Sequence, residues 1–284
     1  MSAAPIAPIQ RLLQLLRLDP LDRDLFIGET PAGKGRLFGG LVAAQAVSAA
    51  TRTVAEGSLH SLHAYFLRPG RHGTPIRFLV HRIRDGRSYT TRRVVAYQGG
   101  EAIFNLSSSF ARPEEGISHQ DAAPKAPGPE SLPDWEDLRA EMLGDPSLRR
   151  KDGPLEVRMV DPPTPGAHEP ARSRVWLRTR GALPDDPALQ AALLVYATDR
   201  TLLSTAARPH GLTWGRRIVA SLDHAVWIHR PPRMDAWTLY SSSSPAAHSA
   251  RGLVLGAMYD QHGLRIASVA QEGLIRIPRP REEE

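Results

Sequence analysis

Apolar and polar residues follow two patterns along this chain, and the patterns occur in the same order twice. Leu37-Phe38-Gly39-Gly40-Leu41-Val42-Ala43-Ala44-Gln45-Ala46-Val47 puts small or apolar side chains on nearly every helical face, which predicts one helix over 37–55 covered on several sides. Aromatic-rich and alternating stretches then predict strands at 62–67, 76–83, 89–97 and 102–110. Turns separate them: Arg68-Pro69-Gly70, Arg84-Asp85-Gly86 with its Asp-Gly hairpin signal, and Gln98-Gly99-Gly100. Five prolines between 113 and 133, with few apolar anchors, predict a linker that continues through a short helical stretch at 134–143. The series then restarts with strands at 155–160 and 174–180. Asp185-Asp186-Pro187 caps a second apolar helix running to about Thr205. Strands at 218–229, 237–243, 252–259 and 264–277 complete the second series.

The two series are copies. His63-Ala64-Tyr65-Phe66-Leu67-Arg68-Pro69-Gly70 returns in degenerate form as Ala225-Val226-Trp227-Ile228-His229-Arg230-Pro231-Pro232. Tyr65/Trp227, Arg68/Arg230 and Pro69/Pro231 stand 162 residues apart, and Tyr97/Tyr259 keep that offset. Such a repeat is too long for a solenoid unit and about the size of a small domain. The expected organisation is an N-terminal unit at 1–112, a Pro-rich linker at 113–152 and a C-terminal unit at 153–284. A helix apolar all round needs cover on several sides, and one strongly twisted antiparallel sheet can wrap it. The expected fold is therefore α+β, a double hotdog of two such wraps. The runner-up is an α+β sandwich with the helices on one face.

Composition leaves this picture standing and removes several chemistries. With 284 residues, 41% of them hydrophobic, each unit can bury a core of its own. The chain has no cysteine, which excludes disulfides, thiolate catalysis and Cys-ligated metals and fits a cytoplasmic setting. The net charge of +6 fits a polyanionic partner, either nucleic acid or a phosphate-bearing small molecule. The basic residues are scattered, with no dense run and no aromatic-basic alternation, which argues against nucleic acid. An ordinary arginine-rich surface explains them equally well. The leucine-rich pattern at 6–18 is interrupted by Arg11 and Arg17 and lacks a cleavage site, so it does not read as a secretory signal. The longest uncharged apolar run, Leu37 to Ala50, is too short to cross a bilayer. Arg281-Glu282-Glu283-Glu284 carries no peroxisomal address.

Candidate chemistry is sparse. No Gly-x-Ser-x-Gly elbow, phosphate loop, dinucleotide fingerprint or His-Glu-x-x-His occurs. His60 with His63, and His224 with His229, have spacings that put each pair on opposite strand faces, so no metal site is expected. Three places set polar groups against an apolar background. Asp199 follows Leu193-Leu194-Val195-Tyr196-Ala197-Thr198; it is either a used carboxylate in a buried helix or the point where that helix surfaces. In Ser221-Leu222-Asp223-His224, alternation puts Ser221 and Asp223 on one strand face and His224 on the other. A hydroxyl beside an acid can orient water, although a polar strand start looks the same. Gln271 corresponds to Ser108 once the longer second turn has moved the offset to 163. The first copy thus has a hydroxyl where the second has an amide, which points to a polar site in the second copy unless the difference is drift.

Through these residues the chain resembles the acyl-CoA thioesterase II family of double-hotdog proteins, from about Leu12 to Arg276. The resemblance is carried by Phe38-Gly39-Gly40, Tyr65 to Gly70, Arg84-Asp85-Gly86 with Arg92-Arg93-Val94, Pro154 to Arg158, Pro184-Asp185-Asp186, Leu222-Asp223-His224 with Trp227 and His229-Arg230-Pro231, and Gln271-Glu272-Gly273. It implies hydrolysis of acyl-CoA thioesters without a cofactor. It also implies a water-activating trio of Asp199, Ser221 and Gln271, with serine where the family usually has threonine. Serine keeps the donor and acceptor and loses a methyl group and some rotamer restriction. Asp199 would take a proton from a water that attacks the carbonyl, with no covalent intermediate. Backbone N–H groups around Gly39 and Gly40 would hold the oxyanion, and arginines such as Arg68 and Arg230 would meet the CoA phosphates. By analogy the chain forms a homodimer or higher homo-oligomer through sheet edges, with no integral membrane segment. The rivals are an enoyl-CoA hydratase of the same fold, which wants an Asp–His pair although no histidine is expected near Asp199, and a non-catalytic acyl-CoA or lipid-binding protein.

Overall fold

The two apolar stretches become central helices, and the alternating stretches close one sheet around them. The computed structural model describes residues 7–149, 153–212 and 217–277. Its elements are α1 (Pro8–Leu16), β1 (Asp19–Asp22), β2 (Leu25–Gly28), α2 (Gly39–Thr51), β3 (Ser58–Phe66), β4 (Ile76–Asp85), β5 (Tyr89–Gln98), β6 (Glu101–Ala111), α3 (Trp135–Leu143), β7 (Leu155–Met159), β8 (Arg172–Thr179), α4 (Pro187–Thr198), β9 (Ile218–Ser221), β10 (Asp223–Ile228), β11 (Thr238–His248), β12 (Arg251–Tyr259) and β13 (Arg265–Arg276). Residues Leu202–His210 form a 3-10 stretch after α4.

All these strands belong to one sheet, ordered β1-β2-β4-β5-β6-β3-β10-β13-β12-β11-β8-β7, with β9 also paired to β13. The order is a palindrome whose centre is the antiparallel pair β3 and β10. There Tyr65 lies opposite Asp223, His63 opposite Ala225 and Ser61 opposite Trp227. Because 63 and 225 differ by the repeat offset, a local two-fold axis passes through that pair, and the sequence repeat is a symmetry in space. The second offset holds too, since Ser108 lies opposite Arg92 and Gln271 opposite Val254. The sheets of the two copies are thus fused edge to edge into a double hotdog.

Both central helices end earlier than their apolar patterns do, α2 at Thr51 and α4 at Thr198. Beyond α4 the backbone tightens to 3-10 geometry, which still keeps Leu202, Leu203 and Ala206 buried against the sheet. Strand periodicity missed β1 and β2, because Pro20 and Gly28 bracket a segment too short to show alternation. The leucine pattern near the N-terminus becomes α1, with Ile9, Leu12, Leu13 and Leu16 buried. The Pro-rich segment is a strap and not a free tether. Gln120 donates to Gly263 O and accepts the Arg265 N–H, Pro127 O accepts the Trp176 indole, and Ala123, Ala126 and Leu132 pack on Trp176, Leu239 and Tyr259. Small apolar residues suffice there because the face beneath is aromatic.

The two copies differ where each central helix ends. In the second, the residue after α4 is Asp199. In the first, the residue after α2 is Arg52, whose guanidinium donates to Leu18 O and lies 5.6 Å from the Phe26 ring centre. Arg92, counterpart of Val254, is 1% exposed and fills this end of the first copy. It donates to Thr53 Oγ1 at 2.8 Å, Thr53 O at 3.0 Å and Arg84 O at 3.0 Å, and pairs with Asp85.

Candidate active site

Asp199 owes its place to the packing of the helices. The end of α4 abuts the start of α2 so closely that a Cβ on Gly40 would lie 2.7 Å from Tyr196 O. The first N–H groups of a helix lack intrahelical partners, and the N-terminus carries a partial positive charge. Gly40 N–H accordingly donates to Asp199 Oδ2 at 2.7 Å. The other carboxylate oxygen accepts from Ser221 Oγ at 3.1 Å and from Gln271 Nε2 at 2.7 Å. Gln271 Nε2 also donates to Ser221 Oγ at 2.8 Å. The three residues picked out in the second copy therefore form one hydrogen-bonded cluster, and the first copy adds a backbone donor to it. Gln271 is fully buried, and its Oε1 has no protein partner among the described residues.

Alternation misplaced the Ser221 segment. The pairing register with β13 slips by one residue between Ser221↔Gly273 and Ala225↔Ala270. This bulge around Leu222 lets Ser221 and His224 both reach the end of α4, and separates Ser221 from Asp223. Asp223 Oδ1 instead accepts the Glu272 N–H at 2.6 Å, a link within the sheet. His224 is 1% exposed and bonds through Nε2 to Thr198 Oγ1 at 2.8 Å. Burial pushes its imidazole below the usual histidine range, against the opposite pull of Asp199 and Asp223. A histidine thus does lie near Asp199, contrary to the sequence expectation, but outside the lining of the cleft.

Asp199 and Ser221 open into a cleft of about 610 Å³. Leu37, Val42, Phe66, Ile103, Phe104 and Leu203 supply its apolar wall, drawn mostly from the first copy. Gly39 lies beside Asp199; a Cβ there would approach Asp199 Oδ2 to 3.1 Å and Phe66 to 2.7 Å. Arg36, Arg68, Arg200 and Arg217 also line the cleft. Arg200 is held by Glu136 at 2.7 Å, and Arg68 donates to Ala102 O at 2.8 Å and faces Glu101. Burial brings the Arg217 guanidinium down to about 10. Arg230 is not part of the cleft. Like Arg68 in the other copy, it pins its Arg-Pro turn, donating to Arg265 O at 2.7 Å. Among the described residues no cluster of His, Cys, Asp and Glu is disposed to hold a metal, and no helix is long and apolar enough to cross a membrane.

Residues 148–274 match the family model for acyl-CoA thioesterases, and residues 28–111 match the model for an acyl-CoA thioesterase N-terminal domain. Mouse acyl-coenzyme A thioesterase 8 is 38% identical, covering 93% of this chain and 88% of the mouse protein. Acyl-CoA thioesterase 2 of Haemophilus influenzae is 38% identical, covering 94% of this chain and 98% of its own. The crystal structure of an acyl-CoA thioesterase II from Mycobacterium marinum superposes with a TM-score of 0.80 at 42% identity, covering 94% of this chain and 98% of that one.

Proposed function

Because this chain belongs to the acyl-CoA thioesterase family and hydrolyses acyl-CoA thioesters, we propose that Asp199 is its general base. The observation that carries this reading is the convergence of Gly40, Ser221 and Gln271 on one carboxylate at the wall of the cleft. An ionised carboxylate has about four acceptor sites. Three are taken by protein donors, which leaves one for a water. That water gives one hydrogen to Asp199 and the other to the free lone pair of Ser221 Oγ, so its own lone pair faces the thioester carbonyl. Asp199 takes the proton as the C–O bond forms, the tetrahedral intermediate collapses, and CoA leaves as a thiolate that needs no strong general acid. Gly40 N–H is engaged by Asp199, so the Gly39 N–H in the same first turn of α2 is the donor left for the oxyanion. The sequence reading assigned that role to both glycines.

The apolar wall takes the acyl chain, and Arg36 and Arg68 at the exposed rim meet the CoA phosphates. The same reading carries two units, 1–112 and 153–284, joined by 113–152. It also carries a homodimer or higher homo-oligomer and a cytoplasmic location, the latter supported by the absence of cysteine. Light scattering on the purified protein tests the assembly, and fractionation of the host cell tests the location.

The mechanism is tested by Asp199→Ala and by rapid-quench kinetics. Asp199→Ala is expected to lower kcat by about 100-fold or more with the fold intact by circular dichroism. CoA release from the wild-type enzyme is expected to be linear from the first turnover, because no acyl-enzyme accumulates. Near-normal turnover of Asp199→Ala on its best acyl-CoA moves the base elsewhere. A burst of CoA equal to the enzyme concentration shows a covalent intermediate.

A further inference from the structure

Asp199 is the residue that follows α4, so its direction depends on how the last turn of that helix is held. A helix end exposes carbonyls without intrahelical partners and frays unless something ties it down. The tie here is Thr198, which is fully buried. Its hydroxyl donates to Val195 O at 2.8 Å. A hydroxyl has one proton, so in the 2.8 Å contact with His224 Nε2 the imidazole donates. Nε2 of His224 therefore carries a proton, and since burial favours the uncharged imidazole, Nδ1 is left an acceptor that has no partner among the described residues. The backbone carbonyl of Thr198 accepts from Tyr240 Oη at 3.2 Å. Tyr240 reaches it by lying across Gly256, where a Cβ would stand 2.5 Å from the ring. Two strands, β10 and β11, thus hold the residue next to the base, through groups that have no contact with the cleft.

The chemistry of this arrangement points beyond packing. An imidazole buried to 1% exposure, with one nitrogen lacking a partner among the described residues, carries a desolvation penalty that an apolar side chain of similar volume avoids. What the imidazole supplies in return is a directed donor to Thr198, made possible by the bulge at Leu222 that turns His224 toward α4. We infer that His224, acting through Thr198, is a positioning residue that sets the direction of the Asp199 carboxylate. This rests on the reading in which Asp199 is the general base.

Steady-state hydrolysis of an acyl-CoA, followed by thiol release, tests it in the full-length enzyme. Thr198→Val removes the hydroxyl at constant shape, and His224→Met removes the donor at similar volume. Thr198→Ser and His224→Gln restore the same groups. Displacing a reacting group by about 1 Å costs up to about 100-fold in rate, so both disabling variants are expected to lose about 10- to 100-fold in kcat with KM within about twofold. The restoring variants are expected to return to within about threefold of wild type. In an Asp199→Ala background, Thr198→Val is expected to add no further loss, since its effect passes through the missing carboxylate. The inference is overturned by a wild-type kcat in Thr198→Val, by no recovery in Thr198→Ser, or by a further loss in the double variant. If His224→Met does not fold, the Thr198 series decides alone. Normal turnover of Asp199→Ala is a separate result: it removes the base assignment itself, whatever the Thr198 variants do.

Discussion

Ser221 stands where the resemblance in sequence implies a threonine, and its two hydrogen bonds define what that difference changes. The hydroxyl accepts from Gln271 and donates to Asp199. Ser221→Thr keeps both groups and restricts the rotamer, so kcat is expected to stay within about threefold, whereas Ser221→Ala is expected to lose about tenfold or more. Thiol-release assays on the two variants separate these outcomes. Protonation at His224 gives a second test. Its imidazole is held below the ordinary value of 6.5, so the unfolded chain binds more protons than the folded one as pH falls through that value. Stability from this group is complete above pH about 6.5 and is lost progressively below it, down to the folded-state pKa. Urea melts at stepped pH are expected to show a shallower acid-side decline in His224→Gln than in wild type. At this scale the sequence marked Asp199, Ser221 and Gln271, because polar side chains in apolar segments are visible without coordinates. It grouped Arg230 with Arg68, of which only Arg68 lines the cleft, because two guanidiniums that each pin an Arg-Pro turn look the same in sequence. The link from His224 to Thr198 was hidden, since it joins residues 26 apart through a bulge that strict alternation does not anticipate.

The decisive element contact is the junction of α2 and α4. Gly40 has no side chain because Tyr196 O occupies its place, at 2.7 Å from an ideal Cβ, with the Phe38 ring at 2.6 Å. Gly40→Ala must separate the helices, at an expected cost of about 1–3 kcal/mol in unfolding free energy. The same separation draws the Gly40 N–H away from Asp199, so kcat is expected to fall as well. Chemical denaturation and kinetics of one variant measure both. Helix existence was legible from the run of small and apolar residues. Helix ends were not, because α4 gives way to a 3-10 stretch in which Leu202, Leu203, Thr205, Ala206 and Ala207 stay buried like the helix before them. The strap at 113–133 was read as a linker for a related reason: its prolines and alanines contribute little apolar area individually, and their anchor is a surface from a distant part of the chain.

For the whole molecule, the continuous sheet joins the copies independently of the covalent connection between them. Residues 113–119 are exposed, with Ile117 at 97%, while β3 and β10 hold the halves together. Insertion of a protease site between Gly116 and Ile117, followed by cleavage, is expected to leave kcat within about twofold and the fragments comigrating in size-exclusion chromatography. Loss of activity on cleavage would show that the strap, more than the sheet, sets the relation of the copies. The repeat in the sequence announced two similar units. It did not announce that the cleft takes its walls mostly from one and its acid from the other, because that follows from how α2 and α4 meet.

The two-fold axis through His63 and Ala225 relates two units that one chain encodes separately. A single unit pairing with its twin would hold two sites by necessity, each built from one subunit's acid and the other's glycine, and every substitution would strike both at once. In one chain that carries both units, that coupling is absent. Arg92 stands where the two halves differ: the first copy holds a buried guanidinium in place of Val254, and the hydrogen-bonded cluster of Asp199, Ser221 and Gln271 belongs to the second. A substitution that changes packing in one half therefore needs no matching change in the other.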